Sequence, residues 1–568
     1  FNLNIFPFDF AKNRFFTPAG SDLTLILLLA IAAPLSLGAL LHENLSFKSP
    51  WYYIFAANVL FFGLLIILQT SVLGALTAIP TLAMLFLTDK ESLSRQRSLL
   101  SSIGLALFLV IILFYLPLSF NKRFVDFRGS FPRAITLDMR SSWIVSIQTV
   151  RDYPIFGSGP ATYLADFVRY RPAFLNYTPF WTQRFSAAAG EPYQVLATLG
   201  VLGFLVFLFF IYKLLTTIIK LLASTSGKSD GIAFSIMAFL IALLFSVPSA
   251  SLRTVFFILL AVYMLKSFPV VRKQYNVLPF IPLILIVIVN ISLGFLVYTM
   301  ALAEFSFKKA IDAVGVNNTQ GAIQGLSDAI KYNQYRDNYH LSLASLAYTF
   351  ANNLATKKDL TDADRQTLIQ LLNTATTEAK IAVSLDPFNG SNLETLSSIY
   401  RNIAGAVENA ATWAVTAYQQ AIQIEPTNSN LHFQLGSLFF AAGNYEMAAN
   451  YFSQAVQLKN DMVNYHYNLA WALRARGIMG SAIDEMTVVS RLVAADSEDG
   501  KKAAADMADF QKLASDIAAQ SANQPAPVGQ PPTSGELDVP QPESNLAKPT
   551  KPQVSLPTES SPSSVNRK

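Results

Sequence analysis

Before residue 300 the chain carries eight apolar runs, at 23–41, 52–69, 70–88, 99–118, 195–212, 232–249, 254–268 and 278–300. Most approach the roughly 20 residues that cross a bilayer core as a helix, the conformation that satisfies its own backbone hydrogen bonds in hydrocarbon. Together they cover 150 of the first 300 residues. Charged residues make up only 14% of the chain and AVILMFWYC 52%, with a mean hydropathy of +0.37. A water-soluble chain carries roughly 25% charged residues. An ordinary cytosolic enzyme is therefore excluded. The first run is not read as a signal peptide, because polar and aromatic residues precede it and no small-residue cleavage site follows. The sequence opens on Phe1 rather than Met and is expected to be a fragment or a processed product.

Short loops set the expected orientation, since Lys and Arg mark the cytoplasmic side. With eight spans, Lys90, Arg95 and Arg97 share one side with Lys213, Lys220 and Lys228, and with Lys266, Arg272 and Lys273. That side is inside. The 119–192 loop and everything after Met300 are then extracytoplasmic, on a multi-pass protein of the plasma (inner) membrane. A transporter fits poorly, because the spans hold almost no ionisable residue.

After Met300 the pattern changes to soluble helices with a period near 34 residues. The clearest unit, 429–460, has Leu435-Gly436, Phe439, Gly443, Tyr445, Ala448, Phe452 and Ala455 where a tetratricopeptide repeat places its packing residues. The next repeats the scheme with Leu469-Ala470, Leu473, Gly477, Ala482 and Met486. Earlier units show Ala414, Tyr418, Ala421 and Pro426, and before them Ala375, Ala379, Ala382 and Pro387. An opening unit is read from Ala322, Leu326 and Ala329, then His340, Leu343 and Ala344. His340, His432 and His466 fall at one repeat position, which a shared packing role explains better than a metal. With no cysteine at all, thiolate metal sites, disulfides and cysteine nucleophiles are excluded. From Ser521 onward, ten prolines and eight serines in 48 residues, with no aromatic residue, read as a disordered tail. The expected fold is all-α: a polytopic transmembrane domain (1–300), a tetratricopeptide-like solenoid (301–520) and the tail (521–568).

The informative loop segment is LDMRSSWIVSIQTVRDYPIFGSGPATYLADFVRYRP, residues 137–172. Helical period puts Arg140, Ile144, Ile147 and Arg151 on one face with Trp143 close by. Pro154 should end that helix, and Gly157-Ser-Gly159-Pro160 should turn tightly. Across 119–192 nine basic residues face five acidic ones, for a net +4: Lys122, Arg123, Arg128, Arg133, Arg140, Arg151, Arg169, Arg171 and Arg184 against Asp126, Asp138, Asp152, Asp166 and Glu191. Arginine can clamp a phosphate or pyrophosphate with two parallel hydrogen bonds. Arg253 and Arg14 are candidates to join the cluster. The competing reading is that these arginines snorkel to lipid phosphates.

Arg140-x-x-Trp143, RDYPIFGSGPATY (151–163) and EPYQVLATLGVLGFLVFL (191–208) resemble the O-antigen ligase/polymerase superfamily. So does the helix start FTPAGSDLTLILLLAIAAPLSL (16–37); the likeness spans roughly 14–268. C-terminal repeats are common in its bacterial members. The resemblance implies transfer of a glycan from a polyprenyl-pyrophosphate carrier to a lipid, glycan or protein acceptor on the outer face of the plasma membrane, in cell-envelope polysaccharide biosynthesis. It implies no metal or nucleotide cofactor and no nucleic acid partner. Arg140 matches the family's functional arginine and would stabilise the departing pyrophosphate. Trp143, Arg14, Arg151, Arg169, Arg171, Arg184 and Arg253 would line the donor site. The family's histidine falls on Ala189, its asparagine on Gly190 and a further arginine on Val72. Glu191, the nearest ionisable group, becomes the candidate base. The alternative is a catalytically silent, membrane-anchored scaffold whose repeats bind a protein partner.

Overall fold

The computed structural model describes residues 21–42, 48–68, 76–87, 98, 102, 104–106, 135–223, 230–267, 280–357 and 359–522. Regular structure among the described residues is entirely helical. Arg14, Val72, Lys122, Arg123, Arg128, Arg133, most of the 99–118 span and the tail beyond 522 lie outside them. The chain divides into two compact units, residues 1–172 with 183–276, and residues 173–182 with 277–568.

The first unit contains α1 (Asp22–His42), α2 (Pro50–Leu68), α3 (Ile79–Leu87), α4 (Met139–Asp152), α5 (Tyr163–Tyr170), α6 (Glu191–Ala223), α7 (Gly231–Phe245) and α8 (Ala250–Ser267). Its core joins Leu27 and Ile31 of α1, Leu214 and Ile218 of α6, Phe239 and Leu243 of α7, and Phe256 and Tyr263 of α8. Phe239 and Phe256 stack with ring centroids 4.2 Å apart. Pro34 interrupts the amide ladder of α1, and nearby Ser235 Oγ donates to the Ile31 carbonyl at 2.6 Å. By length and composition, three helical stretches among the described residues can cross a membrane: Leu23–Leu41, Glu191–Lys220 and, in the second unit, Leu283–Gly315. Gly231–Phe245 and Ala250–Leu265 are apolar but shorter, and the 70–88 run contributes only the nine residues of α3. The count of eight spans thus stays an expectation.

The second unit is a stack of helix hairpins, formed by α9 (Phe280–Gly315) with α10 (Thr319–Tyr332), α11 (Asp337–Ala355) with α12 (Asp362–Leu385), α13 (Gly390–Ile403) with α14 (Ala410–Ile424), α15 (Ser429–Ala441) with α16 (Tyr445–Leu458), and α17 (Val463–Ala475) with α18 (Met479–Leu492). A last helix, α19 (Glu498–Ala522), packs on α18 through Phe510. The alanines read from the repeat pattern are buried: Ala375, Ala379, Ala382, Ala414, Ala421, Ala448, Ala455, Ala470 and Ala482 are each 0% exposed. Asparagine starts several helices, as Asn318, Asn389, Asn428 and Asn444 each accept a backbone N–H of the first turn.

Two expectations shift. Ala322, Leu326 and Ala329 belong to the second helix of the opening hairpin, whereas His340, Leu343 and Ala344 belong to the first helix of the next. The missing partner is the end of α9, where Ala303 and Ala310 are buried. An apolar run and a repeat helix are therefore one continuous helix, without a break near residue 300.

The three repeat histidines share a backbone partner. Nε2 of His340, His432 and His466 meets the carbonyl six residues upstream, of Gln334, Pro426 and Asn460, at 3.1, 3.1 and 2.9 Å. Each ring thereby pins the inter-repeat turn. Nδ1 of His340 and of His466 also meets a carboxylate, Glu378 and Glu485, both at 2.6 Å. Those carboxylates hold the two imidazoles above their ordinary range, while burial pushes His432 below it. The charged form of His466 thus contributes stability that is complete below the unfolded value of about 6.5 and is lost as pH rises through the folded one. For His432 the contribution is present above about 6.5 and is lost as pH falls through its lowered value. In an NMR titration of the full chain, His466 should titrate above His432, and Glu485→Gln should lower His466 alone. Equal midpoints in the wild type would refute the pairing of His466 with Glu485.

Gly436 is buried, and a Cβ built there would stand 2.7 Å from the Phe452 ring. Replacing it with Leu should overpack the α15–α16 hairpin and cost about 1–3 kcal/mol, read as a lower thermal midpoint of the second unit's helices by circular dichroism.

Candidate functional site

Helix α4 is capped by Asp138, whose carboxylate accepts the Ser141 N–H at 2.8 Å. It turns its small polar residues inward. Ser141, Ser142, Ser146 and Thr149 are all 0% exposed, and Ser142 and Ser146 return hydroxyl hydrogen bonds to the backbone one turn upstream. These short side chains let α4 lie against the start of α6. Ser142 Oγ accepts the Ala189 N–H, and the one Ser146 hydroxyl proton is shared between the Ser142 and Tyr193 carbonyls, each contact at 2.8 Å. The outward face carries Arg140 and Arg151 with Met139, Trp143 and Ile147, and Tyr153, Ile155 and Phe156 extend it beyond the helix. Apolar-plus-basic residues therefore face out and hydroxyls face in.

The glycine turn after α4 meets a break in α6. Gly200 adopts φ 66, ψ −167, a region essentially reserved for glycine. In an unbroken helix the N–H groups of Val201 and Leu202 would bond to the carbonyls of Ala197 and Thr198. Here they donate instead to the carbonyls of Pro154 and Ile155, at 3.0 and 3.2 Å. The vacated carbonyls of Ala197 and Thr198 accept from Ser158 and Gly159 at 3.1 and 3.0 Å. The turn thus satisfies these four groups that the break leaves over. The fit excludes side chains: a Cβ on Gly200 would lie 2.4 Å from the Gly157 nitrogen, and one on Gly157 2.5 Å from the Gly200 nitrogen. Beside the turn, Ser158 Oγ donates to Asp166 at 2.5 Å, and burial pushes the Asp166 carboxyl up to about 6 against the lowering effect of the Ser158 and Thr162 hydroxyls.

Among the expected site residues, the structure joins Glu191 and Arg253. Arg253 Nη2 stands 3.0 Å from each carboxylate oxygen of Glu191 and Arg253 Nε donates to the Pro248 carbonyl at 3.1 Å. Glu191 opens α6, at a helix N-terminus that favours an acid. Arg253 is thus the cation paired with this carboxylate. Arg169 is drawn to Asp152 at 3.6 Å and Tyr170 donates to the same carboxylate, so this pair ties α5 back to α4. Arg171 is 8% exposed just beyond α5. Arg184 precedes Phe185, whose ring meets Phe167 edge-on at 5.4 Å. Arg169 and Arg253 thus meet different carboxylates, Asp152 and Glu191.

The surroundings of Ala189 and Gly190 are tightly filled. Ala189 is buried under Ser142, and a Cβ on Gly190 would lie 2.3 Å from the Leu244 carbonyl oxygen. The end of α7 occupies the volume that an asparagine side chain would need.

A second polar centre went unread in the sequence. In the second unit, the 173–182 segment lies on the turns that follow α14 and α16. Asn176, 0% exposed, donates through Nδ2 to the Thr427 and Leu458 carbonyls, both at 3.0 Å. Lys459, its side chain 5% exposed, donates through Nζ to the Asn176 carbonyl at 2.7 Å and pairs with Asp461 at 2.9 Å. The same ammonium stands 4.9 Å from the Trp181 ring centroid and 5.9 Å from that of Tyr177. Lys459 is the C-cap of α16, where the two preceding hairpins carry Asp386 and Glu425. That reversal of charge is the sequence signal that could have found the site.

No family model matches the chain, and no curated protein matches it. The solved structures that it is similar to include the following three. MamA is 16% identical over 34% of this chain and 91% of its own, with a TM-score of 0.28. TTC0263, a thermophilic TPR protein of Thermus thermophilus, is 17% identical over 37% of this chain and 98% of its own, TM-score 0.25. PilF of Pseudomonas aeruginosa is 14% identical over 38% and 93%, TM-score 0.28.

Gly200→Ala should cost about 1–3 kcal/mol from backbone strain alone, before the clash with Gly157. A lower unfolding temperature of the detergent-solubilised chain would register it, and an unchanged one would mean that α6 runs straight.

Proposed function

We propose that this chain is a membrane-anchored scaffold whose repeats stand on the extracytoplasmic side and bind a protein partner. The observation that carries the reading is α9. Its apolar stretch from Leu283 to Val289 and on through Met300 is exposed on all sides, which water does not tolerate in a stable fold, whereas Ala303 and Ala310 are buried among the repeats. At about 1.5 Å per residue the first 20 or so residues cross a bilayer core and the remainder enters the solenoid. A continuous helix holds the first hairpin at a fixed height above the membrane. Outward apolar side chains on α6 and α8, such as Val206, Phe209 and Leu265, and the basic-aromatic outer face of α4 suit a lipid surrounding and its interface.

Glycan transfer is the second reading, favoured by the Glu191–Arg253 pair beside α4. Against it, both Glu191 oxygens face the guanidinium, Ala189 has no group to take a proton, and Gly190 has no room for one. The scaffold reading is the stronger.

Two measurements test these readings. Cysteines placed at Ser186 and Ser534 should both react with an impermeant thiol reagent on intact cells, and labelling of only one would refute the orientation. In proteoliposomes with a polyprenyl-pyrophosphate-linked glycan, the wild type should transfer nothing, while photocrosslinkers on the repeats should recover one protein partner that Gly436→Leu loses. Transfer by the wild type that is abolished by both Arg140→Lys and Arg140→Ala would establish the enzyme instead.

A further inference from the structure

We propose that the turns around Lys459 form a peptide-recognition site, that the chain's own 173–182 segment is its resident occupant, and that a partner peptide enters by displacing it. The proposal rests on the scaffold reading and names what its repeats recognise: an extended peptide with an asparagine, an aromatic residue directly after it and a second aromatic residue four positions further on, as in Asn176, Tyr177 and Trp181.

Three features make this a built site rather than a chance contact. Lys459 is a buried cation at a repeat position where the two preceding hairpins carry Asp386 and Glu425 and the following one Val493, so the repeat architecture itself does not call for it. Its ammonium has three hydrogens, and the resident segment supplies one acceptor, the Asn176 carbonyl, and two aromatic faces, while Asp461 balances the charge. Asn176 is read at both ends: its side-chain amide bridges two carbonyls of successive inter-repeat turns, and its own carbonyl accepts from the lysine. Few side chains can replace it. Leucine matches its size without a donor, and aspartate would place an oxygen against each carbonyl.

The turn carbonyls of Thr427 and Leu458 belong to the solenoid whether or not 173–182 is seated. A vacated site leaves a buried cation and two carbonyls to be satisfied by whatever peptide supplies the same groups. A segment of the same chain competes at an effective concentration on the order of millimolar. External peptides of ordinary affinity are therefore held off, and the site opens to a partner that binds more tightly or to a chain in which the segment has been withdrawn.

The test uses the full chain in detergent and a fluorescein-labelled peptide of residues 171–184, followed by anisotropy. The wild type should bind it at least about tenfold more weakly than an Asn176→Ala/Trp181→Ala chain, whose site is vacated. Adding Lys459→Met to that chain should remove the gain, and a peptide with alanine in place of its asparagine should not bind. In parallel, chymotrypsin should spare Tyr177 and Trp181 in the wild type and cut there in Lys459→Met. Equal peptide affinity in wild type and vacated chain, or a 173–182 segment cut as fast in the wild type as in Lys459→Met, would overturn the proposal. Because the peptide comes from the chain itself, these outcomes do not depend on any partner. Loss of partner crosslinking with intact peptide binding would instead strike the scaffold reading alone.

Discussion

A helix that breaks in apolar surroundings leaves two N–H groups and two carbonyls with no water to take them, each costing several kcal/mol if nothing else does. In α6 the break at Gly200 is tolerated because the Pro154–Gly159 turn presents two carbonyls and two N–H groups in matching order. That exchange needs backbone against backbone, so neither Gly157 nor Gly200 has space for a Cβ. Much of the first unit's polar architecture follows from it. The turn fixes where α4 ends, the serine face of α4 then reaches Ala189 and Tyr193, and Ser158 is delivered to Asp166.

The same economy of small residues governs the repeats, where alanines and Gly436 bring helices close enough for Phe452 to pack against backbone. What differs is the treatment of the turns between hairpins. Histidines 340, 432 and 466 pin them from within, through a carbonyl six residues upstream. At the turns after α14 and α16 the pinning also comes from outside the solenoid, through Asn176. A turn that offers its carbonyls to a peptide side chain can recognise a ligand without any catalytic group, which is what a scaffold requires.

Resemblance to a transferase family placed a histidine and an asparagine at positions held by Ala189 and Gly190. The structure shows why the second cannot be restored by side-chain substitution alone: the Leu244 carbonyl stands where the side chain would begin. The proposed scaffold role needs no proton-moving group at either position.

The sequence by itself determined the all-helical character, the position of the repeat alanines and the common role of the three histidines, because 3.6-residue periodicity and small-residue spacing are local properties. It also marked the end of α4 and the glycine turn, through Pro154 and Gly157. The tertiary structure decided the rest. Hydropathy cannot register a single non-helical residue inside an apolar run, so the break at Gly200 was invisible, as was the continuity of α9 across residue 300. Charge counting could not tell which carboxylate Arg253 meets, because its partner Glu191 lies 62 residues away in the chain. Asn176 and Lys459 are 283 residues apart, and only the fold brings them within hydrogen-bonding distance.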